Sequence, residues 1–207
     1  MRRRIELGCL YLITWALVTF IIWWLFYADI KHAWLAQSDP LDTLQNETYS
    51  VVYDPALRIP VAADWELTPE YLGKTSREQS WRFVEDKRVP KPRARHEDYT
   101  NSGYDRGHMC PAADRSKNTE MMKETFIMTN VCPQLPALNR GAWKRLEDGC
   151  RNLVRNGQSL RVHVDAVFWP TDLKFIGRDS VAVPHGFVKT IRDYETDTIC
   201  YSQYFQN

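Results

Sequence analysis

The sequence predicts an α+β domain preceded by an N-terminal transmembrane helix. Short β-rich runs, clearest at 49–53, 125–131 and 160–168, predict strands, and apolar residues at helical spacing over 138–154 predict a helix. A long uncharged run near the N-terminus predicts the membrane helix. With 207 residues, of which 44% are hydrophobic and 26% charged, the chain can bury one ordinary core, and its composition argues against a disordered protein.

The first predicted element is the membrane helix, within residues 1–28. An uncharged run from Leu7 to Ala28 exceeds the about 7–15 apolar residues of a cleaved secretory signal, which is the alternative interpretation. It also reaches the roughly 20 residues that cross a bilayer. Arginines precede the run, and only one lysine, Lys31, follows soon after it. This asymmetry predicts a cytoplasmic N-terminus with the rest of the chain on the periplasmic or extracellular side.

Residues 29–45 mix charged and polar residues with Pro40, which is typical of a linker, so the folded domain is expected over 46–207. The strand predicted at 49–53 is bounded by a turn that begins at Asp54. Thr68, followed by a proline, is expected to begin a short helix or helical turn.

A basic segment follows at 87–95, with five positive charges and no acid. Its two prolines exclude a regular helix or central strand, so an extended loop is expected. The net charge of the chain is only +1, and any phosphate-binding surface must therefore be local. The loop fits two interpretations: a solvated face, or a surface that neutralises several backbone phosphates.

The second half of the domain alternates predicted strands and one helix. The strand at 125–131 is expected to end at Cys132 and Pro133. In the helical segment, Asn139, Trp143 and Glu147 are four residues apart and are expected on one face. Three further strands are predicted, at 160–168, 180–183 and 187–191.

Four cysteines, Cys110, Cys132, Cys150 and Cys200, follow the membrane run, which contains Cys9. In an oxidising compartment an even number permits disulfides, and four cysteines allow three pairings. No C-x-x-C or H-x-x-x-H spacing indicates a zinc site. The cysteines are interpreted as small buried residues or as members of a disulfide.

The residues with the clearest chemistry are His108 and polar groups on the predicted helix. A neutral imidazole can take a proton from water near physiological pH, and Arg106 lies two residues before it. Mg²⁺ prefers oxygen ligands, which the Asn139 side chain offers, and Glu147 could hold water around the ion. Considered alone, Asn139 is interpreted as a helix N-cap and Glu147 as a surface charge. Together they supply the base and metal that phosphodiester hydrolysis needs.

An ordered series of segments carries a more specific resemblance. The segments are 65–68, 88–90, 99–114 with its Asp-Arg-Gly-His, 129–134, 138–143, 146–147 and Arg151. This series resembles the DNA/RNA non-specific endonuclease family of ββα-metal nucleases over roughly residues 50–192. The resemblance implies a central antiparallel sheet flanked by helices, and a metal-dependent enzyme that hydrolyses DNA and RNA with little sequence specificity.

The resemblance also implies roles for individual residues. His108 would be the general base, and Asn139 the direct protein ligand of a single Mg²⁺, with Mn²⁺ as a substitute. Glu147 would hold water of the metal shell, while Arg106 and Arg151 would hold phosphate charge; the products would carry 5′-phosphates. Three further residues, Asn130, Gln134 and Arg88, are expected on the substrate side, although Arg82 fits the place of Arg88 equally well.

Two departures from the family pattern concern stability. Residues 164–167 replace a usual Gly-Pro pair, and the sequence given stops at Asn207, so an uncovered sheet edge or apolar face is expected. Two other function classes stay open: a noncatalytic nucleic-acid-binding module with the same fold, and a membrane-anchored interaction protein with a disulfide-stabilised ectodomain. The sequence leaves both a monomer and a homodimer open.

Overall fold

The computed structural model describes residues 42–169 and 171–207. The predicted membrane run and nearly all of the predicted linker lie outside the described residues. Within the described ranges, no helix is both long and apolar enough to cross a bilayer. The anchor, the export of the domain and the domain boundaries therefore stay predictions.

A six-stranded antiparallel sheet dominates the described part of the chain, with the strand order β1-β2-β3-β6-β9-β10. Its strands are β1 Asp42–Gln45, β2 Tyr49–Asp54, β3 Ile59–Leu67, β6 Leu160–Val167, β9 Gly186–Asp193 and β10 Ile199–Gln206. Strand β1 occupies the last four residues of the segment predicted as a linker and pairs with β2 along its whole length. The expectation of an antiparallel sheet is confirmed.

Alternation along β3 and β6 explains how the sheet covers the core. Trp65 lies opposite Val162, and both are buried, whereas the neighbouring pair of Asp64 and His163 faces solvent. Because successive side chains of a strand point to opposite faces, this register puts one apolar face on the core.

The second structural unit is a pair of antiparallel strands, here called the hairpin, followed by a helix. Residues 109–130 join the two strands. Strands β4 (Asp105–His108) and β5 (Val131–Gln134) pair antiparallel, and the helix α2 (Lys144–Arg155) comes next in the chain. Trp143 anchors the start of α2 to the large sheet, with its ring centroid 5.5 Å from that of Phe187 and 5.4 Å from that of Phe205. The remaining elements are the short helix α1 Thr119–Glu124 and the paired strands β7 Lys174–Ile176 and β8 Val181–Val183.

Most of the predicted elements are present. The runs at 49–53, 160–168, 180–183 and 187–191 correspond to β2, β6, β8 and β9, and a 3₁₀ turn at Pro69–Tyr71 confirms the predicted helical turn. Asp54 ends β2 as predicted: its Oδ1 accepts hydrogen bonds from the next two free backbone N–H groups, those of Ala56 and Leu57.

The strand predicted at 125–131 is wrong. A 3₁₀ turn occupies Met128–Asn130, and the strand begins only at Val131 and continues through Pro133. The side chain of Asn130 causes the difference, because it bonds to three backbone groups and so competes with strand pairing. Pro133 is tolerated because β5 has a single partner strand.

The continuous helix predicted over 138–154 is also wrong at its start. Leu138–Trp143 form a π-helical turn, and Gly141 has a non-helical backbone (φ −104°, ψ −112°) before α2 begins at Lys144. The apolar spacing continued through this break, so periodicity alone gave no sign of the kink.

The disulfide interpretation is wrong for the described cysteines. All four are free thiols, with Cys110, Cys132 and Cys150 buried and Cys200 exposed. Burial raises the pKa of the Cys110 thiol to about 12 and that of Cys150 to about 11. The alternative, that they are small buried residues, holds for three of the four.

Strand β10 forms one edge of the large sheet. Ile199, Tyr201 and Tyr204 are exposed on it. At the other departure from the family pattern, residues 164–167 continue β6 and pair with β9, so the missing Gly-Pro pair does not interrupt the sheet.

Candidate active site

His108 ends strand β4 and lies between two aromatic rings. Its ring centroid is 4.9 Å from that of Phe83 and 5.0 Å from that of Phe126. The Nε2 atom is buried and has no hydrogen-bond partner in the described part of the chain. Burial, assisted by the positive charge of Arg77, lowers the pKa of His108 to about 3. The imidazole is therefore neutral at physiological pH.

The segment after His108 is fixed by Asn130. The Asn130 Oδ1 atom accepts from the backbone N–H of Cys110 at 2.9 Å, and its Nδ2 donates to the carbonyls of Cys110 and Thr125 at 3.0 Å. Its own carbonyl accepts from the N–H of Met109 at 2.9 Å. These bonds join the two sides of the hairpin and hold the strand that carries His108.

A cleft of about 370 Å³ brings His108 next to the π-helical turn and α2. Its lining consists of His108, Pro111, Ala112, Ala113, Asn139, Lys144, Glu147, Asp148, Arg151 and Arg155. Four of the residues singled out in the sequence, separated by up to 43 positions, thus line one cleft. The fold thus brings the end of β4 next to α2, although the two are far apart in the sequence.

Asn139 is oriented by an ionised carboxylate. Its Nδ2 donates to Asp105 Oδ2 at 3.0 Å, and Arg140 donates to both oxygens of Asp105 at 2.6 and 2.8 Å. The hydrogen bond from Arg140 holds the pKa of Asp105 below its usual value. Since the amide nitrogen is bound to Asp105, the carbonyl oxygen of Asn139 is left for another partner.

Glu147 is paired with a buried lysine. Lys189, only 1% exposed, holds its Nζ 3.4 Å from Glu147 Oε1 and 3.8 Å from the ring centroid of Trp143. Burial raises the pKa of Glu147 to about 6, while the charge of Lys189 acts in the opposite direction. Burying a charged ammonium group costs free energy unless it has such partners. The charged forms of Lys189 and Glu147 therefore depend on each other.

Arg151 is held by acidic partners on both sides. Its Nη1 contacts Asp114 Oδ1 at 2.6 Å, and its Nη2 contacts Asp148 Oδ1 at 2.5 Å. The second oxygen of Asp114 accepts from Trp65 Nε1 at 3.0 Å. This chain of contacts ties α2 to β3 of the large sheet and fixes the guanidinium at the edge of the cleft.

The sequence also matches the model of a known protein family. The family model for DNA/RNA non-specific endonucleases matches residues 34–204. The chain belongs to this family.

Individual relatives give the same result. Human mitochondrial endonuclease G is 36% identical over 155 residues, covering 70% of this chain and 52% of the relative. The mitochondrial nuclease of Saccharomyces cerevisiae is 37% identical over 168 residues, covering 73% and 51%. A nuclease of Nostoc sp. is 45% identical over 100 residues, covering 47% and 36%. The chain thus spans about half the length of the mitochondrial relatives and about a third of the Nostoc protein.

A solved chain shows the same fold. In the crystal structure of an EndoG/EndoGI complex, a chain 27% identical in sequence superposes with a TM-score of 0.72, covering 80% of this chain and 74% of the other. The predicted family and its EndoG-like fold with a large antiparallel sheet are therefore confirmed.

Arg106 lies beside the cleft, two residues before His108 on the same face of β4. Its Nε and Nη2 donate to the carbonyl of His96 at 3.2 and 2.6 Å, and Nη2 also donates to Thr100 Oγ1 at 3.1 Å. The guanidinium lies 5.7 Å from the Tyr99 ring centroid. Arg106 is therefore fixed next to the site.

Three residues that were predicted on the substrate side do not line the cleft: Asn130, Gln134 and Arg88. Asn130 is wholly buried in the bonds described above. Gln134 is also wholly buried and packs against Gly107. Arg88 bonds to Asp86, to the Asn46 side chain and to the carbonyl of Gln45, which uses every nitrogen of its guanidinium.

Two residues near the candidate site, Arg77 and Lys189, were not predicted from the sequence. Arg77 is exposed, its guanidinium carbon lies 4.9 Å from the Phe126 ring centroid, and its charge lowers the pKa of His108. Arg82, the alternative to Arg88, is exposed, and after burial and Arg106 its charge also contributes to lowering the pKa of His96. No local pattern distinguishes Arg77 from other loop arginines, and only the folded chain places it near His108.

Proposed function

We propose that this chain is a metal-dependent endonuclease that hydrolyses phosphodiester bonds in DNA and RNA with little sequence specificity and leaves 5′-phosphate ends. The observation that carries the proposal is the shared cleft of His108, Asn139 and Glu147. A neutral base, an oriented amide oxygen and a carboxylate are the groups that metal-assisted hydrolysis requires. Membership of the DNA/RNA non-specific endonuclease family supports the same reaction.

In this proposal, His108 takes the proton from the attacking water. Since Nε2 is buried, Nδ1 is the ring nitrogen that accepts the proton. The free site keeps the imidazole neutral, and its low pKa would make it a weak base. A bound phosphodiester would bring negative charge beside the ring and offset the charge of Arg77. This change would raise the pKa of His108 toward the range in which an imidazole is an effective base.

The donors in the cleft fit a Mg²⁺ ion. The described residues contain no group of three or more His, Cys, Asp or Glu side chains that could hold a metal. Mg²⁺ suits such a site because it keeps several waters and needs only one or two protein oxygens. Asn139 would bind the ion, Glu147 would accept hydrogen bonds from nearby water, and Mn²⁺ is the expected substitute. When bound, the metal supplies positive charge to the scissile phosphate and the leaving 3′-oxygen.

The arginines around the cleft would hold the phosphate. Arg106 and Arg77 lie on the His108 side, and Arg151 lies at the α2 side with its orientation fixed by Asp114. Guanidinium groups bind phosphate oxygens strongly, and these contacts carry no base information. Both terminal nitrogens of Arg151 already donate to Asp114 and Asp148, so Arg151 would contribute mainly its positive charge. Cleavage with little sequence preference follows from such contacts.

The test is cleavage of plasmid DNA and of RNA with Mg²⁺ or EDTA. We expect Mg²⁺-dependent degradation of both, and a loss of about 10²–10⁴-fold in kcat for His108→Ala. His163→Ala, on the solvent face of the sheet, is the matched control and is expected to keep full activity. Binding of nucleic acid without cleavage would support the noncatalytic module instead, and activity unaffected by EDTA would contradict the metal site.

The setting of the enzyme is part of the proposal. The uncharged run at 7–28 supports tethering to a membrane with the nuclease outside the cytoplasm, where unselective cleavage would spare the genome. Both a monomer and a homodimer stay open. The similar solved chain comes from an EndoG/EndoGI complex described as explaining EndoG inhibition, so a protein inhibitor of this chain is also proposed.

A further inference from the structure

A groove of about 380 Å³ with a mostly basic lining lies apart from the catalytic cleft. It is lined by Glu85, Lys91, Pro92, Arg93, Arg95, Arg178 and Asp179, and we call it the basic groove. Four cations and two acids line it, so it carries an excess of positive charge. None of its lining residues belongs to the cleft around His108.

The cations of the basic groove divide into two kinds. Arg93 is fixed by Glu85 at 3.0 Å, and Arg95 is fixed by Asp179 at 2.5 Å. Lys91 and Arg178 are exposed and form no hydrogen bond or ion pair with any described residue. The two acids are therefore satisfied by the inner arginines, and two charges at the surface are free for an outside partner.

The walls of the basic groove are held together. Asp98 Oδ2 accepts from the N–H of Arg95 at 2.8 Å, and its Oδ1 accepts from the N–H of Asp179 at 3.1 Å. Gly177 lies against Asp98 so closely that a side chain there would overlap it. The basic loop and the 177–179 turn thus form one rigid surface.

Along the sequence, the basic groove adjoins the residue that holds Arg106. Arg95 is followed by His96, whose carbonyl accepts from Arg106 Nη2 at 2.6 Å. Five extended residues span at most about 18 Å, so Lys91 lies within that distance of His96 along the chain. One strand of a DNA duplex rises about 3.4 Å per nucleotide, so about five nucleotides at most span this distance.

We propose that the basic groove is a second binding surface for the phosphate backbone, which Lys91 and Arg178 contact several nucleotides from the scissile bond. The proposal rests on the proposed nuclease function and adds a dependence on substrate length. A strand too short to extend from the cleft to the groove uses the cleft alone. Longer strands engage both, and the groove raises their affinity without reading bases.

The test compares the double variant Lys91→Ala/Arg178→Ala with a control, Lys117→Ala/Arg161→Ala. The control removes one exposed lysine and one arginine that line neither the basic groove nor the cleft. Cleavage is measured on single-stranded DNA of about 4 and about 30 nucleotides near 0.15 M salt. We expect kcat/KM on the long strand to fall about tenfold for the groove variant, with the short strand changed less than about twofold.

A binding measurement keeps this inference separate from the nuclease proposal. Fluorescence anisotropy of the long strand in EDTA gives log Kd against log salt concentration, and loss of two phosphate contacts should reduce the slope by about 1.4. A groove variant that matches the control in slope and in long-strand cleavage overturns the inference. An equal loss on both strand lengths also overturns it. Absence of cleavage by the unaltered protein overturns the nuclease function, while the slope still decides about the groove.

Discussion

Among single residues, Glu147 and Lys189 show how burial and charge together govern the site. Burial raises the pKa of Glu147 to about 6, Asp114 adds to the rise, and Lys189 and Arg151 oppose it. A carboxyl group is ionised only above its pKa, and the proposed role of Glu147 requires the ionised form. Activity should therefore fall as the pH falls through about 6 and be fully developed above that range.

Replacing Lys189 by Met should move this dependence. Lys189→Met removes a charge that lowers the pKa of Glu147, so the acid limb of the kcat profile should shift upward by at least about one pH unit. Lys189→Arg keeps the charge and should stay close to the unaltered protein. The measurement is kcat between about pH 5 and pH 9. In a Glu147→Gln background the Met substitution should cause no further shift, and an equal loss at every pH would mean that Lys189 serves the fold alone.

Part of the candidate site could be predicted from the sequence for a clear physical reason. His108 and Asn139 belong to short segments whose chemistry is visible in the order of the residues, and the structure places both in the cleft. Lys189 lies in an apolar strand run, 42 positions from Glu147, and only folding brings the two together. Arg88 was expected from the segment 88–90 of the family resemblance, but the structure binds it to Asp86 and does not place it in the lining of the cleft.

Among structural elements, the β4-β5 hairpin depends on a close approach at Gly107. A Cβ atom on Gly107 would overlap the side chain of Gln134, which is wholly buried. The glycine in Asp-Arg-Gly-His is therefore required by packing, and it lies next to His108. Any movement of Gln134 to make room would disturb the strand that carries the proposed base.

Gly107→Ala should lower the free energy of unfolding by about 1–3 kcal/mol through overpacking. Gly149→Ala is the control, because a Cβ there meets no atom within 4 Å and the residue lies inside α2. That change should stabilise the protein by about 0.5–1 kcal/mol, since glycine weakens a helix interior. Urea unfolding measures both, and a neutral Gly107→Ala would disprove the packing argument.

Elements were predictable where one periodicity controls a whole segment. Strands β6 and β9 alternate along their length and were predicted close to their observed bounds. Strand β3 contains Pro60, and β10 is almost wholly exposed, so neither gives a clear alternating signal. The errors at Met128–Asn130 and at Gly141 arise from a side-chain bond to the backbone and from a kink, which hydrophobic spacing does not encode.

For the molecule as a whole, the large sheet is the support and the hairpin with α2 is the chemical unit. Trp143 packs on Phe187 and Phe205 of the sheet, and Arg151 reaches Trp65 through Asp114. Removing one partner of such a buried ion pair leaves an uncompensated charge. The position of α2, and with it Asn139 and Glu147, therefore depends on contacts made by distant strands.

The reactivity of the cysteine thiols tests whether a disulfide stabilises the domain. Although the predicted export would bring the domain into a compartment where disulfides form, the described cysteines are free. In a Cys9→Ser background, a thiol reagent should label only Cys200 quickly in the folded protein. The other three are buried, and the raised pKa of Cys110 and Cys150 disfavours their reactive thiolates.

After unfolding without reductant, all four described thiols should react, and reductant should leave Tm unchanged. Cys200→Ser is the control and should abolish the fast reaction in the folded state. Two unreactive thiols after unfolding would reveal a disulfide and favour the disulfide-stabilised ectodomain. The expected result would instead mean that the domain is stable through hydrophobic packing without a covalent link.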